Sequence, residues 1–282
     1  MTGTVLVLGA TGSTGSAVID GLRGERGLSV RTATRAAAAP TDFEHVRFDW
    51  SDPATHPAAL DGVERIYLVA PVGVADPINI VGPFLERART GGVRRVVALS
   101  SSAVEAGDPG LGEVMAAVRD TLPEWEILRP SWFMQNFVGQ HPIADAIRDG
   151  GEFYTSSGTG RLPFIDARDI GNVAAHLLAA PRAHNAEHRL TGPEALSYDD
   201  AATVLAAVTG RPVRHHAVSA DQHIRFLVDA GYDPEFAAIL AALDARVRAG
   251  AESAVADTVE KLTGRPPRSF RDFVAAQNRA RI

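Results

Sequence analysis

The chain has 282 residues, 45% of them hydrophobic and 22% charged, and its 28 basic and 34 acidic side chains leave a net charge of −6 at neutral pH. That composition predicts an ordinary globular protein and excludes a disordered or collagen-like chain. The absence of cysteine excludes thiol nucleophiles, iron–sulfur clusters and cysteine zinc sites, and it fits a reducing compartment.

In chain order, short β-branched runs at residues 4–8, 29–34, 46–48, 65–69, 93–99 and 126–128 alternate with helical patterns at 13–23, 53–60, 77–90 and 112–121. Strands buried on both faces read as near-continuous Val/Ile/Leu runs, and repeated strand–helix units require parallel pairing. The first 130 residues therefore predict a doubly wound α/β sheet. Beyond Pro130 the pattern turns to helices at 197–209, 220–230, 234–249, 254–262 and 269–279, with one strand at 213–218. A strand and helix within 162–180 read as a return to the sheet. The expected organisation is a sheet domain of residues 1–130 with 161–180 returning to it, and a smaller helical lobe of 131–160 and 181–282.

The sharpest local signal is "VLVLGATGSTGSAVIDGL", in which Gly9, Gly12 and Gly15 separate the first strand from the first helix. Glycines there permit a tight turn and close backbone approach, and the helix N-terminus presents N–H groups and positive dipole to a pyrophosphate. The second strand ends in Arg35 where an NAD site places an acid on the ribose 2′-OH, so the reading favours NADP, with Arg35 on the 2′-phosphate.

The stretches "LGATGSTG", "ILRPSWFMQNF", "RLPFIDARDIGNVAA" and "HRLTGPEALSYDDAATVLAAVTGRPV" together resemble NmrA-like atypical short-chain dehydrogenases, on the side of ergot-alkaloid-type reductases. The resemblance spans residues 5–273 and implies a Rossmann domain with a C-terminal substrate lobe and NADPH as cofactor. It assigns Gly9, Thr11, Gly12, Ser13, Thr14 and Gly15 to the pyrophosphate loop and Arg35 to the 2′-phosphate. Asp49 and Trp50 would sit beside the adenine, and Val69, Ala70 and Pro71 by the nicotinamide ribose. It also places Ser100, Ser101 and Pro130 at the cofactor, and Ser102 at the position of the superfamily's catalytic serine.

Classical members use a Tyr-x-x-x-Lys pair to move the proton. Lys261 is this chain's one lysine, and the residues four places after Tyr67, Tyr154, Tyr198 and Tyr232 are Pro71, Gly158, Ala202 and Phe236. Reduction would then suit an acceptor needing little proton assistance, such as an iminium, quinone or conjugated enone. Two alternatives stay open: an NADP(H)-sensing regulator without turnover, and a redox-neutral isomerase. The aromatic run predicts an apolar substrate cleft lined by Trp132, Phe133, Met134 and Phe137, with Ser102 or Tyr154 as proton or hydrogen-bond donor.

No His/Asp/Glu grouping shows metal-ligand spacing, so no metal is expected. The net charge gives no electrostatic reason to bind nucleic acid. The longest apolar run, about residues 66–75, falls short of the roughly 20 needed to cross a bilayer. The N-terminus runs straight into the glycine loop without a basic leader, which predicts a cytoplasmic protein. The expected partner is a small hydrophobic substrate, and monomer and homodimer both stay open.

Overall fold

The computed structural model describes residues 3–36 and 42–279. Its elements are β1 (Gly3–Leu8), α1 (Ser13–Leu22), β2 (Leu28–Thr34), β3 (Glu44–Arg47), α2 (His56–Leu60), β4 (Val63–Val69), α3 (Ile78–Thr90), β5 (Arg95–Leu99), α4 (Leu111–Thr121) and β6 (Glu124–Pro130). There follow α5 (Pro142–Gly150), β7 (Glu152–Thr155), α6 (Ala167–Ala179), β8 (Ala186–Leu190), α7 (Tyr198–Thr209), β9 (Arg214–Ala217), α8 (Ala220–Asp229), α9 (Pro234–Arg248), α10 (Thr258–Thr263) and α11 (Phe270–Arg279). Two compact units result, one of Met1–Pro130 with Ala167–Arg189, the other of Ser131–Asp166 with Leu190–Ile282.

In the first unit the described residues form a seven-stranded sheet of order β3-β2-β1-β4-β5-β6-β8. The pairings β2–β3, β1–β2, β1–β4, β4–β5 and β5–β6 are all parallel, so their carboxyl ends share one edge. The order reverses between β1 and β4, the kind of switch point at which open parallel sheets bind their ligands. Leu6, Leu8, Ile66, Leu68, Val96 and Ile127 are buried in one core with Phe84 and Leu85 of α3, which explains the unbroken apolar runs of these strands. Helices α1 and α6 approach closely because both are small at the contact: a Cβ on Gly171 would lie 2.7 Å from the backbone of Ala17, and one on Gly21 2.7 Å from the Cβ of Ala175.

The second unit packs Phe137, Phe153, Phe164, Tyr198 and Phe270 into an aromatic core, with Phe137 edge-on to Phe164 at 5.2 Å and to Phe270 at 5.0 Å. Its two-stranded sheet pairs β7 with β9 in parallel. Ser197 caps α7 by accepting the Asp200 N–H, while the Asp200 carboxylate accepts the Ser197 N–H, a reciprocal box written in the local sequence.

The expected return of residues 161–180 to the sheet is displaced. Leu162 pairs antiparallel with Leu196, and Ile165 bridges Phe133, so residues 161–166 pack within the second unit. The returning segment is Ala167–Arg189, and the strand it brings is β8. Residues 181–189, assigned to the lobe by sequence, thus belong to the first unit. No described helix is long and apolar enough to cross a membrane.

Candidate functional site

Chain reversal after β1 begins at Gly9, whose φ of 64° lies in the left-handed region that glycine enters without a Cβ clash. The Gly12 N–H returns to the Gly9 carbonyl at 2.8 Å, and Gly12, extended at ψ 169°, starts α1 with no side-chain cap. Thr11, Gly12 and Ser13 are exposed while Thr14 and Gly15 are buried. A Cβ on Gly15 would sit 2.8 Å from the Gly9 carbonyl carbon and 3.1 Å from the Ala10 Cα, so the loop closes on a residue with no side chain. An uncapped helix terminus lined by glycine backbone is a cradle for a phosphate group.

Next along the same edge, Arg35 follows the last residue of β2 and is exposed. The sequence places a second arginine on that strand, but Arg31 is occupied: its Nε donates to Glu44 at 2.8 Å and its Nη1 to the carbonyls of Ala59 and Asp61. Asp49, beyond β3, accepts the Ser51 hydroxyl at 2.7 Å and the Ser51 N–H at 3.0 Å. Those bonds hold its carboxyl below the ordinary carboxylate range, with Arg47 and Arg35 adding positive potential. Trp50 donates its indole N–H to the Val69 carbonyl at 3.1 Å and packs edge-on against Phe84 at 5.1 Å, which anchors the start of the loop carrying Val69, Ala70 and Pro71.

At the end of β5, Ser100 directs its hydroxyl to the Met115 sulfur at 3.0 Å, and Ser101 accepts the Ala103 N–H. Ser102 is 3% exposed; its N–H donates to the Pro130 carbonyl at 2.9 Å, and its own carbonyl accepts from Arg129. The parallel register therefore gathers the loop glycines, Arg35, Asp49, Trp50, Val69–Pro71, Ser100–Ser102 and Pro130 along one edge, although their sequence positions span more than 120 residues.

The second unit contains a cavity of about 90 Å³, walled by Trp132, Tyr198, Phe226 and Leu227, with His141 and His223 among its polar residues. His223 is buried and directs Nδ1 to Asp244 at 3.1 Å and to the Ser156 hydroxyl at 3.2 Å. Asp244, 3% exposed, also accepts the Ser156 N–H at 2.8 Å and the Ser156 hydroxyl at 3.1 Å. With Nδ1 so engaged, Nε2 is the ring nitrogen outside that network. A carboxylate on one imidazole nitrogen fixes the tautomer and makes the other nitrogen a proton carrier. Sequence reasoning passed over His223, because its partners lie 67 and 21 residues away in either direction.

Several sequence expectations change here. Trp132 lines the cavity, but Met134 and Phe137, 1% and 2% exposed, belong to the aromatic core, because the turn after Trp132 drives them inward. Phe133 bridges Ile165 and is not among the cavity residues. Tyr154 sits between Phe153 and Thr155 on β7, and strand alternation sends it to the other face, where it stacks on His216 at 5.2 Å and its hydroxyl meets Glu152 at 3.5 Å. Lys261 pairs with Asp257 at 2.9 Å in α10 and is mostly exposed.

Burial pushes the imidazole of His141 down to about 4, and its Nδ1 accepts the Ile143 N–H at the start of α5. Burial also lowers His56 and His215. Each is lowered from the ordinary 6.5, so between that value and the lowered one the unfolded chain binds more protons at these groups than the folded one. Stability is present in full above pH 6.5 and falls as pH drops through that window, by up to about 3 kcal/mol for His141 at about 1.4 kcal/mol per pH unit. Thermal unfolding followed from pH 7.5 to pH 4.5 should show the midpoint falling, and H141N should flatten the slope. A slope unchanged in H141N would contradict the assignment.

The chain matches the NmrA-like family over residues 115–274 and an NAD(P)H-binding family over residues 9–181. It belongs to the NmrA-like family. This NmrA-like protein is 37% identical to agroclavine dehydrogenase of Claviceps fusiformis, with 96% of each chain covered. It is 35% identical to the NAD(P)H azoreductase of Xenophilus azovorans, covering 96% of this chain and 97% of that one. Its fold follows the triphenylmethane reductase of Citrobacter sp. complexed with NADP(H), at a TM-score of 0.79 and 24% identity over 97% of this chain and 99% of that chain. The NmrA-like protein is accordingly an NAD(P)H-dependent oxidoreductase with a Rossmann-type binding unit.

Proposed function

We propose that this NmrA-like protein is an NADPH-dependent reductase of a small, apolar, conjugated acceptor of the iminium, quinone or enone kind. The observation that carries the reading is the pairing of two features within one sheet edge: a glycine-lined, uncapped helix terminus at Gly12–Gly15, and an exposed Arg35 where an NAD site would place an acid. Gly9, Thr11, Gly12, Ser13, Thr14 and Gly15 hold the pyrophosphate, and Arg35 pairs with the 2′-phosphate. Asp49 and Trp50 border the adenine. Val69, Ala70, Pro71, Ser100, Ser101 and Pro130 line the rest of the edge, and Ser102 positions it through its backbone bonds. When bound, NADPH supplies a hydride.

The acceptor occupies the cavity of the second unit. Trp132, Tyr198 and Phe226 offer it flat apolar surface, and the His223 imidazole, held by Asp244, donates a proton where the product needs one. Burial and the nearby Asp244 carboxylate keep the Tyr198 hydroxyl protonated far above neutral pH, so it serves as wall and hydrogen-bond donor. The azo group named for the relative is conjugated, and the triphenylmethane frame named for the fold neighbour is aromatic and bulky. A chain whose sole lysine lies outside a Tyr-x-x-x-Lys pair suits acceptors of that sort.

Loss of NADPH absorbance across a panel of iminium, quinone and enone compounds tests the reading. Turnover is expected, with NADPH preferred over NADH, and R35A should weaken NADPH by about tenfold or more while leaving NADH nearly unchanged. Tight NADPH binding with no turnover of any panel member would instead favour a cofactor sensor.

A further inference from the structure

A second constellation lies in the first unit, at the side of the sheet where β6 neighbours β8. Glu126 sits within β6, opposite Val97 of β5, and its side chain is wholly buried. One carboxylate oxygen meets Nε2 of His188 at 2.6 Å; the other meets Nδ1 of His184 at 3.2 Å. All three donor atoms lie within 4.8 Å of one another. His188 is nearly buried on β8, whereas the His184 side chain is 53% exposed, so one side of the cluster opens to solvent.

The cluster is held in place by groups that are not part of it. Asn185, at a φ of 53°, turns the chain sharply between His184 and β8. Its side-chain oxygen accepts the Trp125 N–H at 2.9 Å and its amide donates to the Pro123 carbonyl at 3.1 Å, which ties the turn to the start of β6. On the neighbouring residue of β8, Glu187 takes Arg129 at 2.8 Å and Arg119 at 3.4 Å, so those guanidinium groups are engaged there. Strand alternation points Glu187 away from the face that carries His188. Glu126 thus meets two imidazoles and also accepts the His184 N–H at 2.5 Å, so the turn is tied to β6 both through the cluster and through Asn185.

We propose that Glu126, His184 and His188 form a binding site for a divalent transition-metal ion of the zinc class. Two imidazole nitrogens and one carboxylate oxygen are the donor set of such ions, whereas calcium and magnesium take oxygen ligands. Tetrahedral zinc holds neighbouring ligand atoms roughly 3.3 Å apart. The present 2.6 and 3.2 Å spacings, each to a different carboxylate oxygen, are of that order, and no pair of the donor atoms is more than 4.8 Å apart, so the half-exposed His184 side chain has only to swing to complete the set. Each ring binds the ion through the nitrogen that now faces Glu126 and keeps its proton on the other. The fourth position faces solvent, and an ion there cross-links β6 to the turn and strand that follow α6.

Zinc titrated calorimetrically into tag-free protein at pH 7.5, with an ion-free start ensured by chelator and dialysis, tests the site. One ion per chain with micromolar affinity is expected, and zinc should raise the thermal midpoint. H184A, at a largely exposed side chain, should weaken binding by about tenfold or more and remove the zinc-dependent rise in midpoint, and E126Q should do the same. No micromolar binding by the unaltered protein, or equal affinity in H184A, would overturn the proposal.

Discussion

Replacing Gly15 by alanine should weaken NADPH binding by at least about 100-fold and leave the chain folded. The added Cβ would lie 2.8 Å from the carbonyl carbon of Gly9 and 3.1 Å from the Cα of Ala10, both of them backbone atoms that cannot swing aside. Gly9, already at φ 64°, leaves the turn no slack, so the clash pushes the loop and the first turn of α1 apart. The N–H groups that would meet the pyrophosphate move with it. Losing two charge-assisted hydrogen bonds at roughly 1.5 kcal/mol each accounts for the expected factor. Alanine favours helix over glycine, which limits any loss of stability to the loop itself. Fluorescence titration with NADPH beside a thermal melt would show it, with S16A, an exposed neighbour on the same turn, as the control. Affinity within threefold of the unaltered protein would remove the loop from the cofactor site.

His223 is expected to separate two classes of acceptor. A cationic acceptor such as an iminium becomes neutral on taking a hydride and needs no proton, whereas a quinone or enone must gain one as well. H223A should therefore lower kcat for quinone and enone acceptors by about 10²- to 10⁴-fold, the usual worth of a positioned general acid, and lower it far less for iminium acceptors. The expectation rests on the geometry of the imidazole: Nδ1 is held by Asp244 and Ser156, and the ring borders the cavity. A neutral change, or an equal loss on both classes, would make His223 a structural residue. The pH profile supplies a second readout, because removing the proton carrier should flatten the profile for quinones and enones and leave that for iminium acceptors unchanged.

The cofactor half of the protein was far more legible in the sequence than the acceptor half. Alternating apolar runs and helices predict the strands β1 to β6 to within a few residues, since a strand buried on both faces must be apolar throughout. The glycine loop is equally local, its three glycines lying within seven residues. By contrast, β7, β8 and α5 were not anticipated: β7 carries only four residues, and β8 mixes polar with apolar side chains as an outer strand does. The aromatic run "WFMQNF" reads as one cleft wall, yet the turn at Met134–Phe137 splits it between the cavity and the core. Tyr154 was misdirected by a single position, because a one-residue step along a strand reverses the face.

What the sequence determined by itself is whatever neighbouring residues enforce: the parallel sheet, the phosphate cradle, the arginine that follows β2, and the want of a lysine four places after any tyrosine. These depend on backbone conformation and side-chain type within one turn or strand, so short-range pattern carries them. Only the tertiary structure decided which polar groups meet. His223 reaches Ser156 across 67 residues and Asp244 reaches it across 88, while His188 reaches Glu126 across 62. A buried imidazole or carboxylate takes its proton affinity and its role from the partner that burial forces upon it, and that partner is chosen by packing, which no local spacing records.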